Sequence, residues 1–120
     1  PATGYGCLSV GVLNVNNIRD IDEDKKAHKI TLAVKLGFDR AHNYQLMLYL
    51  VAIVSFSVYL WKFGYWFSLS LISIPSVLLL LHWNRLRNKA KDRADYNLLL
   101  KQLALLSCLF SIMVFMQLLW

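Results

Sequence analysis

Charge is almost missing from three long stretches of this 120-residue sequence. Residues 44–61 and 65–83 contain none, and residues 98–120 contain only Lys101. A water-exposed helix or strand would show polar residues at a regular spacing, so this absence excludes a water-facing side on each stretch. A bilayer core takes about 20 apolar residues of helix, whereas barrel strands alternate and run only about 9–11. The runs are therefore expected to be transmembrane helices. The expected fold class is all-α, a polytopic transmembrane helical bundle. An overall hydrophobic share of 58% and a mean hydropathy of +0.45 agree with this. Cysteine is scarce as well. Cys7 and Cys108 lie in apolar runs without CxxC spacing, which makes them packing residues and says nothing of redox compartment. Proline occurs only at Pro1 and Pro75, and Pro75, in the middle of its run, is expected to kink it. No repeat or low-complexity tract is visible.

The net charge of +6 is distributed by position. Six basic residues fall in 18–43 and five in 84–97, while the turn between the first two runs holds only Lys62. Short loops rich in Lys and Arg stay in the cytoplasm, so both basic loops are expected there, and nucleic acid is not an expected partner. Trp61, Tyr65, Trp66 and Trp120 then mark the outer boundary, and Tyr44 and Trp83 the inner one. The expected organisation is a single membrane domain over 1–120. A helix end spans 1–24, a cytoplasmic connection 25–43, and transmembrane helices 44–61, 65–83 and 98–120. The segment "TLAVKLG" is expected to hold a short helix closed by Gly37. Residues 84–97 are expected to form a hydrophilic loop. The apolar, Gly-rich start is too short to span from Pro1. The chain is therefore expected to begin inside a helix and to be the C-terminal part of a larger protein.

What charge there is gathers at one place, "NNIRDIDEDKKAHKITLAVKLG" at 16–37. On a continuing helix Asp20 and Asp24 share a face, Asp22 points elsewhere, and Glu23 lies partly toward that face. Two carboxylates one turn apart repel unless a cation lies between them. A calcium loop started at Asp20 would put Lys25 and Thr31 where Gly and Glu are required. Zinc would want Cys or His partners, and only His28 is near. Magnesium suits hard oxygen ligands, keeps its waters, and completes its shell with phosphates. Arg19, Lys25, Lys26 and Lys29 would supply the positive charge that a diphosphate needs beyond the metal. These residues alone leave two readings open, a solvated charged loop or a metal–phosphate site at a membrane interface.

The stretch resembles the second aspartate-rich motif of the UbiA-type intramembrane prenyltransferases. It is most similar to the form found in the menaquinone-pathway branch, NNxRDxxxDxxxGKxTLxVxLG. The matching residues are Asn16, Asn17, Arg19, Asp20, Asp24, Lys29, Thr31, Leu32, Val34, Leu36 and Gly37. His28 stands where that pattern has Gly. The resemblance implies the last four helices of a nine-helix fold, with a first acidic motif on an earlier helix outside this chain, and it implies that this chain alone is inactive. It implies Asp20 and Asp24 as magnesium ligands, and Asn17, Arg19 and Lys29 at the diphosphate. Asn16, Lys25 and Lys26 are weaker candidates. It also implies a polyprenyl diphosphate donor, 1,4-dihydroxy-2-naphthoate as aromatic acceptor, and a multi-pass place in the cell inner membrane lipid. A relative using 4-hydroxybenzoate or homogentisate is the nearest alternative. A non-catalytic membrane protein that binds ions or a partner is the alternative from another class.

Overall fold

The computed structural model describes residues 2–66, 72–88, 90 and 92–118. Most of those residues are helical, with no strand among them. Six helices follow in order: α1 (Ala2–Arg19), α2 (Ile21–Lys26), α3 (Leu32–Leu36), α4 (Phe38–Lys62), α5 (Ser73–Asn88) and α6 (Arg93–Leu118). Among them α4 and α6 are each long and apolar enough to cross a membrane.

Each long helix buries one seam at helical spacing. On α1 the seam is Gly4, Leu8, Gly11, Val15 and Ile18, and on α6 it is Leu99, Leu103, Leu106, Phe110 and Val114. The opposite sides are apolar too. Val54 and Val58 on α4 and Leu105, Ile112 and Phe115 on α6 are exposed, as lipid-facing residues would be. Helices in lipid associate through close packing and interhelical hydrogen bonds, because burying apolar surface gains little there. Both devices are present. Gly4 lets Phe56 lie against α1, since a Cβ there would come within 2.8 Å of the ring. Phe56 in turn stacks on Phe110 and meets the edge of Tyr5, with ring centroids 4.9 Å apart in each pair. This joins α1, α4 and α6.

The polar ties sit deeper. Asn14 Nδ2 donates to the Ala41 carbonyl at 3.0 Å and to Gln45 Oε1 at 2.8 Å, locking α1 to α4. His82 Nε2 is 2.9 Å from the Leu99 carbonyl, which can only accept, so that nitrogen carries the proton. Its Nδ1 then accepts from the Tyr49 hydroxyl at 2.9 Å, and α4, α5 and α6 are clasped together. Trp83 Nε1 adds a bond to the His42 carbonyl at 3.0 Å.

The short segments follow from their caps. Thr31 Oγ1 accepts from Val34 N at 3.3 Å and starts α3, and Gly37, at φ +79°, ends it. This is the short helix expected in "TLAVKLG". The hydrophilic loop expected at 84–97 is smaller than that. Helix α5 runs on to Asn88, with Arg85 and Arg87 in its last turn where cations suit the helix dipole. Helix α6 already starts at Arg93, capped by Asp92 Oδ1 accepting from Asp95 N at 2.9 Å. Helix α4 starts at Phe38, ahead of the uncharged run. Pro75 lies in the first turn of α5, where its missing N–H disrupts nothing, so the expected mid-span kink is corrected to a helix start. Part of the expected span at 65–83 falls outside the described residues, as do Lys89, Lys91 and Trp120.

The end of α2 sets up the acidic turn. His28 N donates to the Lys25 carbonyl at 3.2 Å and Lys29 N to the Asp24 carbonyl at 2.8 Å. This is the Schellman pattern, which needs a left-handed residue between the two bonds, and His28 takes it at φ +55°. The family pattern places Gly at that position, where the backbone demands it most. For a residue with a Cβ the left-handed region costs about 1–2 kcal/mol. Glycine returns about 0.4–1 kcal/mol of this as added freedom of the unfolded chain. The imidazole is exposed, so little else is lost on replacement. His28→Gly should therefore stabilise the protein by about 0.5–1 kcal/mol in reversible unfolding. A clear loss of stability would contradict this account of the turn.

Candidate functional site

Helix α1 and helix α2 meet at Asp20, which is no longer helical in form (φ −99°, ψ +10°) yet keeps the hydrogen-bond ladder. Its N–H reaches the Asn16 carbonyl at 3.2 Å, and Asp24 N reaches its own carbonyl at 2.8 Å. The chain bends slightly without losing register, so Asp20 and Asp24 stay one turn apart. Asp24 is buried and Asp20 half-buried, whereas Asp22 and Glu23 are exposed.

Asp20 is held by two guanidinium groups. Arg19 grips it with both ends of its fork, Nε to Oδ1 and Nη2 to Oδ2, each at 2.8 Å. Arg93, arriving from the start of α6, donates Nη2 to Oδ1 at 3.2 Å and also bonds Glu23 Oε2. The Arg19 hydrogen bonds hold the Asp20 carboxyl below its usual range, with Arg93 adding to the effect, and the same contact raises Arg19. Arg19 Nη1 also donates to Asn97 Oδ1 at 2.7 Å, so both partners of Asp20 are anchored to α6. A carboxylate offers about four lone-pair positions. Three are taken here, and one is left on Oδ2.

Asp24 is arranged differently. Lys29 Nζ lies 3.1 Å from its Oδ1, brought back by the Schellman turn. Its Oδ2 is buried and has no partner among the described residues. A buried carboxylate oxygen left bare is costly, and a hard cation with waters or phosphate in its shell would satisfy it. Among the described residues no three His, Cys, Asp or Glu side chains gather closely enough to hold a metal by themselves. The donor set thus fits an ion that takes one or two carboxylates and finds its other ligands elsewhere. It does not fit a closed protein cage.

The other sequence candidates make no side-chain hydrogen bond or ion pair with this pair among the described residues. Asn16 and Asn17 are half-buried, and neither side chain makes a hydrogen bond within the described residues. Lys25 and Lys26 are exposed on the outer side of α2. A cleft of about 410 Å³ opens beside Arg19, Glu23, Lys25 and Arg93, and neither Asp20 nor Asp24 lines it. Sequence reasoning missed Arg93, Asn97 and Gln45. For Arg93 a signal existed, since a basic segment opposite an acidic cluster invites pairing. Gln45 hides within an uncharged run, and nothing in its surroundings marks it as the partner of Asn14.

Comparison with known proteins came down on one family. The model of the UbiA prenyltransferase family matches residues 1–109. A 1,4-dihydroxy-2-naphthoate octaprenyltransferase of Haemophilus influenzae is 48% identical over 56 residues, which is 47% of this chain and 18% of that protein. One of the same name from Mycobacterium leprae is 42% identical over 78 residues, 64% of this chain and 26% of that protein. The UbiA prenyltransferase domain-containing protein 1 of Dictyostelium discoideum is 42% identical over 85 residues, 67% of this chain and 24% of that protein. The chain thus spans about a fifth to a quarter of the length of these relatives. No solved structure gives a significant match.

The Asp24–Lys29 pair has a measurable consequence. Lys29→Met leaves the buried Asp24 carboxylate without its cation. Because Lys29 itself is largely exposed and water can take over part of its role, the loss should be about 1–2 kcal/mol. Adding Asp24→Asn should recover most of it, since the uncompensated charge is then gone. Purely additive losses in this double-mutant cycle would show that the two side chains do not interact.

Proposed function

The chain belongs to the UbiA prenyltransferase family, and from that premise we propose that it supplies one of two diphosphate-binding acidic motifs in a membrane prenyltransferase. The donor is a polyprenyl diphosphate and the acceptor is 1,4-dihydroxy-2-naphthoate, in menaquinone synthesis. The names of the bacterial relatives support that acceptor. The observation that carries the reading is the buried Asp24 Oδ2, without a partner among the described residues, one turn from Asp20, with Lys29 and Arg19 alongside.

In this reading Asp24 and Asp20 would hold magnesium, Asp24 through the oxygen that Lys29 leaves open and Asp20 through the oxygen not saturated by the arginines. When bound, the ion supplies Lewis-acid stabilisation of the negative charge on a departing diphosphate. Arg19 and Lys29 add hydrogen bonds to the same diphosphate, with Asn17 beside them and Asn16, Lys25 and Lys26 further out. The bond that breaks joins the allylic carbon to the diphosphate oxygen, and both electrons leave with the oxygen. A ring carbon of the acceptor then bonds to the allylic cation, and the ring carboxylate departs as carbon dioxide. Because Arg19 and Arg93 already fix Asp20, its geometry need not reorganise as charge develops, the condition under which electrostatic stabilisation is largest.

Membrane helices suit such a substrate, whose polyprenyl tail rests in lipid while its charged head sits at the surface. The basic segments on either side of α4 and α5 support a cytoplasmic position for the acidic turn, since short loops rich in Lys and Arg stay on that side of a cell membrane.

In the full-length protein that contains this chain, Asp20→Asn and Asp24→Asn should each lower prenyl transfer by about 10²–10³, the usual cost of a lost transition-state contact. Glu23→Gln should be intermediate, since Glu23 shares Arg93 with Asp20. Asp22→Asn should cost far less, because that side chain faces solvent. Turnover of folded, membrane-inserted variants decides the matter. An Asp22→Asn variant as damaged as Asp24→Asn would remove these assignments.

A further inference from the structure

Helices α5 and α6 leave a groove of about 280 Å³ along their outer side. Its walls are Leu78 and Leu81 on α5 and Leu105 and Leu106 on α6. The buried His82 lies between them, and Arg85 and Gln102 complete the lining. The helices are antiparallel neighbours, so Arg85 lies at the end nearest their connection, and Leu78 and Leu105 lie toward the other. A smaller hollow of about 130 Å³ shares Arg85 and Gln102 and extends past Leu98, Leu99 and Asp95. The groove shares no lining residue with the cleft beside Arg19 and Glu23, so it is a separate feature from the acidic turn.

Arg85 sets this groove apart from a plain lipid-facing crevice. Its guanidinium is exposed and makes no hydrogen bond or ion pair among the described residues, although its carbonyl accepts from Ala90 N at 3.1 Å. Its neighbours are engaged. Arg87 lies 5.5 Å over the Trp83 ring and donates to Asn43, and Arg93 holds Asp20 and Glu23. A guanidinium with open donors at the head of a leucine-lined trough, beside a helix long and apolar enough to cross a bilayer, matches one chemical class. That class is an amphipathic anion whose charged group stays at the interface and whose chain lies along the leucines.

We propose that this groove is a binding site for an anionic phospholipid. One acyl chain lies along Leu78, Leu81 and Leu105, and the phosphate accepts from Arg85 and from the Gln102 amide. A zwitterionic lipid fills the same trough but gains less at Arg85, because its own cation accompanies the phosphate.

Native mass spectrometry of the full-length protein in detergent tests this, with phosphatidylglycerol and phosphatidylcholine of matched chains as probes. Phosphatidylglycerol should be retained in preference. Arg85→Gln should lower that retention by about fivefold, the effect of one cation near a membrane surface, and leave phosphatidylcholine unchanged. Arg85→Lys should keep the preference, and Arg87→Gln should not alter it. Leu105→Trp, which fills the trough, should lower retention of both lipids. Glycerol phosphate, which has the charge without the chain, should not compete. The proposal is overturned if Arg85→Gln retains phosphatidylglycerol normally, if Arg87→Gln loses it equally, or if glycerol phosphate displaces it. Failure of the wild-type protein to prefer phosphatidylglycerol at all, as when other segments cover the groove, overturns it too.

Discussion

A carboxylate withdrawn from water needs a cation close by, and the arrangement around Asp24 follows from that need. The Asp24 carboxylate is buried, one oxygen meets Lys29, and the other has no partner among the described residues. Lys29 can return to it only because the chain reverses sharply at His28, in a left-handed conformation an L-residue seldom takes. The same turn gives the Asp24 carbonyl a donor in Lys29 N. Backbone and side chain of one residue thus answer both the main-chain and the side-chain demands of another. The strain at His28 is the local cost.

Position relative to the bundle comes from further back on α1. Asn14, two turns before the acids, is tied to Ala41 and Gln45, and Gly11 leaves room for the Gln45 amide. These contacts fix the height of α1 against α4. Arg19 and Arg93 then tie Asp20 to α6 across a sequence separation of more than seventy residues. The acidic turn is therefore set at the end of three packed helices. A mobile surface loop with the same residues would not hold Asp20 and Asp24 in constant relation.

Much of the architecture was readable because bilayer solvent imposes a coarse rule, and residues 44–61 and 98–120 obey it plainly. Helix ends were less readable. Arg85, Arg87 and Arg93 look like loop residues by polarity, yet they extend helices beyond the apolar region, where cations at a C-terminus and an Asp92 cap favour them. Pro75 suggested a kink because the start of its helix could not be located from an uninterrupted apolar run. At the acidic turn the spacing of Asp20 and Asp24 gave their common side, and the family's Gly position turned out to be the left-handed one. That a basic segment would pair with the acidic cluster could be anticipated, but not that Arg93 would be the residue gripping Asp20 and Glu23, since contacts between distant segments leave no local spacing to follow. Gln45 escaped for a similar reason, being a single amide in an apolar run whose partner lies on another helix.

The central claim is that the buried oxygen of Asp24 is poised to take a hard divalent cation. Electron paramagnetic resonance of manganese, a close stand-in for magnesium, can read this directly on the full-length protein in lipid vesicles with a prenyl diphosphate analogue present. The account predicts a bound manganese signal that Asp24→Asn abolishes and that Asp22→Asn leaves intact. A signal that survives Asp24→Asn and vanishes with Asp22→Asn would contradict it.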